Sequence, residues 1–335
     1  MSKIAVLGAG SWGVATSVLL TSNGHEVVLW EFDEKESAKL NSLREHPTKL
    51  PGVKIPAEVK ITSDLNAAVQ GKDLLALPLP SHTMREVSSK VAGLLNGEPI
   101  ILSLSKGLEV KSLKRMSEVM AEELPKEYHR KLAVLSGPSH AEEVARRLPT
   151  TITVASDNEE VAAEVQRIFM NDYFRVYTHD DVVGVELAGS LKNVIAIAAG
   201  VCDGLGFGDN TKGAILARGL AEIARLGVKL GADQRTFSGL AGMGDLVTTA
   251  MSRYSRNRHL GEQIGRGKSL NQVLSEMTMV AEGVKTTQSA YALACKHGVE
   301  MPITEQVYMM LFEGKNPRLA AEELMLREPK SEMWI

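Results

Sequence analysis

The stretch KIAVLGAGSWG, Lys3 to Gly13, decides the fold. Its first half is a short unbroken apolar run, the pattern of a strand covered on both faces. Glycines 8, 10 and 13 follow in the spacing G-x-G-x-x-G, and a helical pattern runs from Trp12 to Asn23. A second strand, EVVLW (26–30), ends beside Glu31. Strand, glycine turn, helix, strand and acidic residue in this order form a dinucleotide-binding unit. Gly8 permits the tight turn, Gly10 lets the backbone approach a pyrophosphate, and Gly13 lets the helix pack closely on the sheet. The helix start offers free N–H groups to the phosphates, and Glu31 stands where a ribose hydroxyl needs an acceptor.

Outward from this unit, strands are predicted at DLLAL (73–77), PIILSL (99–104), KLAVLS (131–136), TTITVA (150–155) and YFRVY (173–177). Helical patterns fall between most of them, which predicts an α/β, Rossmann-type N-terminal domain with a mainly parallel sheet. After Asp180 the β-branched alternation stops. Helical periodicity takes over, punctuated by DGLGFGDN and AGMGDL, and an all-α C-terminal domain follows. The division is set at 1–185 and 186–335.

The 335 residues, 44% hydrophobic and 24% charged, suffice for two cores. A net charge of −3 gives no basic character for nucleic acid. No apolar run is read as approaching the roughly 18 residues of a bilayer span. The strand pattern from Lys3 leaves no room for a leader, so the expectation is a cytoplasmic protein without an integral membrane segment. Cys202 and Cys295 lack metal-ligand spacing and are expected to be buried thiols. No metal site is expected. THDD (178–181) reads as an acidic helix start, and His82 and His140 as capping or solvated side chains.

The chemistry gathers elsewhere. VELAGSLKNVIAIAAG (185–200) sets Lys192 on a helix face with Ala188, Gly189, Ala196 and Ala199. Burying an ammonium among such residues is costly without a polar partner, so Lys192 is expected to meet a ligand. SKGLE brings Lys106, and SGPSHAEEV brings Gly137 and Ser139, to the carboxyl ends of strands, where open parallel sheets bind ligands. Asp245 follows a glycine turn at a helix start. Ser255, Arg256 and Asn257 form a hydrogen-bonding triplet whose guanidinium fork suits a phosphate. By themselves, Arg253, Arg256 and Arg258 read equally well as a solvated basic face.

In order along the chain, GAGSWG, SKGLE, SGPSHAEEV, GVELAGSLKNVIAIAAG, DGLGFGDNTKGA, GMGDL, SRN and VAEG resemble the NAD(P)-dependent glycerol-3-phosphate dehydrogenases of bacterial and archaeal type. The likeness runs from Lys3 to about Pro317. It implies reversible hydride transfer between NAD(P)H and dihydroxyacetone phosphate, supplying glycerol 3-phosphate for phospholipid synthesis, in a homodimer. It also implies residue roles. Ser11 and Trp12 line the cofactor; Lys106 lies between nicotinamide and substrate; Gly137 and Ser139 touch the substrate. Ala141, Val280 and Glu282 border the cofactor. Lys192 is the catalytic acid–base with Asp245 beside it. Ser255, Arg256 and Asn257 hold the substrate phosphate, and Arg256 also reaches the cofactor.

Three positions depart from the pattern. Pro78 is added in LLALPLPSH, Ala250 stands where a cysteine is frequent, and Phe32 replaces an arginine often found after the second strand. With Glu31, Asp33 and Glu34 nearby and Phe32 placed to stack on adenine, NAD is the preferred cofactor and NADP is possible. One rival is a related two-domain hydroxy-acid or sugar-acid dehydrogenase, which SRN and GMGDL disfavour. A nucleotide sensor without chemistry is the other, and it has no need of Lys192, Asp245 and Arg256 together.

Overall fold

The computed structural model describes residues 1–277, 279 and 281–332. Its strands are β1 Lys3–Leu7, β2 Glu26–Trp30, β3 Glu45–His46, β4 Leu50–Lys54, β5 Lys60–Thr62, β6 Leu74–Leu77, β7 Ile100–Ser103, β8 Leu132–Ser136, β9 Thr150–Ala155 and β10 Phe174–His179. Eight of them form one sheet in the order β10-β9-β8-β7-β6-β1-β2-β5. Neighbours are parallel except β8 and β9. The chain runs outward from β1 through β2 to β5, then returns to β6 on the other side of β1. That reversal leaves a crevice at the carboxyl ends of the strands, the place where such sheets take ligands.

Helices cover both faces: α1 Ser11–Ser22, α2 Glu34–Leu43, α3 Leu65–Val69, α4 Met84–Ala92, α5 Met116–Glu123, α6 Ala141–Val144 and α7 Glu159–Phe169. Alternate strand residues point to opposite sides. Ile4, Val6, Leu29 and Leu102 pack with α1 and α7, whereas Ala5, Leu7, Val28 and Ile101 pack with α4 and α5. Strands β3, β4 and β5 were not predicted. The sequence of β3 and β4 and their flanks, LREHPTKLPGVKIP (43–56), holds three prolines. Pro51 is tolerated in β4 because β3 and β4 form a separate two-stranded ribbon with unpaired edges.

The remaining helices are α8 Val182–Leu205, α9 Asp209–Lys229, α10 Asp245–Met251, α11 Arg256–Gly265, α12 Leu270–Glu276, α13 Glu282–His297, α14 Pro302–Phe312 and α15 Pro317–Met325. The chain divides into two compact units, Met1–Lys106 with Arg115–Val182, and Gly107–Lys114 with the residues from Val183 onward. The segment 107–114 therefore joins the helical unit and not the sheet. Its apolar side chains are the reason: Leu108 is 1% exposed within the helical core, and Leu113 packs against that core.

Two expectations are corrected here. By length and composition α8 can cross a membrane, with a mean hydropathy of 1.6 over its best window. Yet 89% of that window is buried inside the protein, as befits a helix apolar on all sides at the centre of a core. Cys202 is buried but Cys295 is exposed, because α13 turns that face outward. Burial and the neighbouring Asp203 push the Cys202 thiol up to about 11.

α8 and α11 meet along a seam of glycines. A Cβ on Gly200 would lie 2.0 Å from the Arg258 carbonyl oxygen, and one on Gly261 would lie 2.0 Å from that of Ile197. Gly204 and Gly265 are equally tight. Side chains are excluded there, so the backbones touch. This seam fixes α11 against the C-terminal third of α8.

Candidate active site

In the sheet unit, the glycine turn behaves as its spacing demands. Gly8 has φ +128°, a value L side chains rarely adopt. A Cβ on Gly13 would sit 1.8 Å from the Gly8 carbonyl oxygen, so α1 presses onto the end of β1. Gly10 differs, since a Cβ there would meet nothing within 4 Å. The protein itself does not need that glycine; the open space in front of it fits an approaching ligand. Gly10 caps α1 without a side-chain acceptor, and no acidic residue stands in the first turn. The start of this twelve-residue helix thus has no acidic side chain of its own first turn to offset the helix dipole, which suits a dinucleotide diphosphate.

Around the turn, Ser11 donates its hydroxyl to the Lys49 carbonyl at 2.7 Å, and Trp12 packs against the sheet core. Glu31 is only 4% exposed, and its Oε1 accepts from the Asp33 N–H at 3.3 Å. Phe32 beside it is 76% exposed. Pro78 packs its ring against Gly13, so the added proline buttresses the glycine turn. At the ends of β7 and β8, Lys106 donates to the Gly137 carbonyl at 2.9 Å, and the Ser139 hydroxyl donates to the same oxygen at 2.9 Å. Gly137, with φ +146°, makes the bend that presents this oxygen. Lys106, Gly137 and Ser139, far apart in sequence, are thereby one cluster. Ala141 opens the short helix α6 and is buried.

The helical unit holds the second cluster. Lys192 lies midway along α8 and is 5% exposed. Its Nζ donates to Asp245 Oδ1 and to Thr249 Oγ1, each at 2.5 Å. Asp245, 1% exposed, starts α10 after a single π-helical stretch, Leu240–Gly244. Thr249 is one turn further on the same face and lies 3.3 Å from the aspartate. A buried carboxylate at this distance gives the amine the polar partner that its burial requires. Thr249 escaped the sequence reading, although its i+4 spacing from Asp245 was the available signal.

The SRN triplet is divided by the structure. Ser255 caps α11, its oxygen accepting from the Arg258 N–H at 3.2 Å. Asn257 is buried; it donates to Asn193 Oδ1 at 2.9 Å and accepts from the Gly283 N–H at 3.0 Å. It therefore braces the residue after Lys192 to the start of α13, where Glu282 sits in the first turn. Arg256 and Arg253 are exposed, whereas Arg258 turns inward to Asp203 at 2.7 Å. The three arginines are not one solvated face. Val280 lies outside the described residues. His82 is exposed in a tight turn, and His140 caps α6 without a side-chain cap bond.

A diphosphate cradle on a switch-point sheet and a buried lysine–carboxylate pair in a helical unit define the class: an oxidoreductase working with a nicotinamide dinucleotide. The chain belongs to the NAD-dependent glycerol-3-phosphate dehydrogenase family, whose N-terminal profile matches residues 3–162 and whose C-terminal profile matches 181–322. It is 48% identical over 333 residues to the glycerol-3-phosphate dehydrogenase [NAD(P)+] of Fusobacterium nucleatum subsp. nucleatum, covering 99% of each chain. It is 53% identical over 330 residues to that of Citrifermentans bemidjiense, covering 98% of each. Among solved structures, the glycerol-3-phosphate dehydrogenase of Coxiella burnetii superposes with a TM-score of 0.93 at 38% identity, over 97% of this chain and 99% of that one.

Proposed function

We propose that the protein interconverts dihydroxyacetone phosphate and sn-glycerol 3-phosphate with NAD(P)H and NAD(P)+. The Lys192–Asp245–Thr249 cluster carries this reading. A bound nicotinamide supplies the hydride to the substrate C2, or accepts it in reverse. Lys192 holds a proton at Nζ for the oxygen on C2, and Asp245 and Thr249 fix the direction of that N–H. Lys106, Gly137 and Ser139 contact the substrate from the sheet unit. Arg256 and the N–H groups starting α11 receive the phosphate, with Ser255 shaping that turn. Asn257 acts through its buried amide, whose oxygen already accepts from the Gly283 N–H.

Ser11, Trp12, Phe32, Ala141, Arg256, Val280 and Glu282 form the cofactor surround, with Gly8, Gly10 and Gly13 beneath the diphosphate. NADH is the preferred reductant. A 2′-phosphate at the end of β2 meets Glu31, Asp33 and Glu34, while Lys39 is already paired with Glu36 at 3.5 Å. NADH is expected to exceed NADPH in kcat/KM by at least ~10-fold, equivalent to about 1.4 kcal/mol; parity overturns the preference. The family likeness supports a cytoplasmic homodimer that feeds glycerophospholipid synthesis, and light scattering tests the dimer. The deciding assay follows NADH absorbance with dihydroxyacetone phosphate against a panel of keto and hydroxy acids. Equal turnover of a keto acid overturns the substrate assignment.

A further inference from the structure

The β3–β4 ribbon belongs to none of the sequence motifs, yet its tip is fastened to the glycine turn. On one side the Ser11 hydroxyl, in the first residue of α1, donates to the Lys49 carbonyl at 2.7 Å. On the other, the Lys49 N–H donates to His46 Nδ1 at 3.4 Å, and His46 Nε2 lies 3.7 Å from a Glu36 carboxylate oxygen in the first turn of α2. Residues 46–49 thus span from the start of α1 to the start of α2. The tip is held down by His46 and Leu50, each 1% exposed. The base is held by Arg44, whose guanidinium donates to the carbonyls of Pro56 and Val59. The ribbon is a fixed strut.

Lys49 itself is half-buried and makes no ion pair among the described residues. Its ammonium lies close enough to His46 to help burial hold that imidazole below its ordinary range. A half-buried cation on a ribbon whose backbone is tied to the first residue of α1, without an ion-pair partner among the described residues, calls for an anion. We propose that Lys49 contacts the diphosphate of the bound dinucleotide and adds to its affinity. This rests on the dinucleotide reading above. The 2′-phosphate position is the poorer match, because Glu31, Asp33 and Glu34 make the end of β2 acidic.

Lys49→Met keeps the length of the side chain and removes the charge; Lys49→Arg restores it. Lys54→Met is the control, since Lys54 lies on the same ribbon, exposed and paired with Glu45 at 2.7 Å. Calorimetry with NADH, NADPH and ADP-ribose reads the affinities at low and high salt. Lys49→Met is expected to weaken all three on the order of 10-fold and to flatten the salt dependence. Lys49→Arg recovers most of the loss, and Lys54→Met binds like the parent. Unchanged affinities in Lys49→Met overturn the proposal. A loss confined to NADPH overturns it too, by assigning Lys49 to the 2′-phosphate. If the unaltered protein binds none of the three, the dinucleotide reading itself falls.

Discussion

At the scale of single residues, Lys192 shows why a charged side chain stands in an otherwise apolar helix. Its burial is tolerable because Asp245 and Thr249 meet it at 2.5 Å; without them the desolvation of an ammonium exceeds any gain. Removing it also takes the lysine partner from Asp245, a carboxylate only 1% exposed. Lys192→Met is therefore expected to lower the melting temperature as well as turnover, since breaking a buried pair costs about 3–5 kcal/mol. Turnover should fall about 10²–10⁴-fold, while NADH affinity stays near the parent value, because Lys192 is not one of the cofactor contacts. Stopped-flow turnover and NADH titration separate the two effects. A variant keeping more than a tenth of the parent kcat removes Lys192 from the chemistry.

At the scale of elements, two contacts decide how the helices sit. The glycine seam brings α8 and α11 into backbone contact, and Arg256 and Asn257 open α11 just beyond it. Gly261→Ala adds a methyl 2.0 Å from a carbonyl oxygen, so overpacking should cost on the order of 1–3 kcal/mol. The shift of α11 should raise KM for dihydroxyacetone phosphate. An unaltered melting curve argues against the seam. The second contact is Glu222 of α9, 1% exposed, which accepts from the Ile303 N–H at 2.6 Å and from the Thr304 N–H and hydroxyl at 3.1 Å. It caps α14 from a neighbouring helix. Burial pushes its carboxyl up to about 7 against an ordinary 4.5, with Arg225 and the capping donors opposing. The folded state thus holds a proton the unfolded chain releases near 4.5. Its contribution is full below that pH and declines as pH rises toward 7, by on the order of 3 kcal/mol. Glu222→Gln removes that slope. Urea titrations between pH 4.5 and 7.5 showing equal slopes in parent and variant refute it.

At the scale of the whole molecule, the two units are not consecutive in sequence. Residues 107–114 leave the sheet unit to complete the helical core with Leu108. A fragment beginning at Val183 therefore lacks a buried leucine, a deficit of about 2–5 kcal/mol, and should lose near-ultraviolet circular dichroism before far-ultraviolet signal on warming. Cooperative melting of that fragment, equal to the helical unit in the full chain, contradicts this. The sequence by itself determined the strand-and-helix alternation, the glycine turn with Gly8 and Gly13 in their roles, the helical second half and the exceptional lysine. These follow from local periodicity, backbone conformation and the cost of burying charge, all readable within a few residues. Tertiary structure alone decided that Thr249 joins Asp245 at Lys192, that Asn257 braces Asn193, and that Arg258 turns inward. It also decided that Cys295 faces out, that 107–114 crosses to the helices, and that Lys49 is tied to Ser11. Each joins or sorts residues by packing across tens of positions, 57 between Lys192 and Thr249 and 38 between Ser11 and Lys49, and no local pattern records which distant surfaces must share a core.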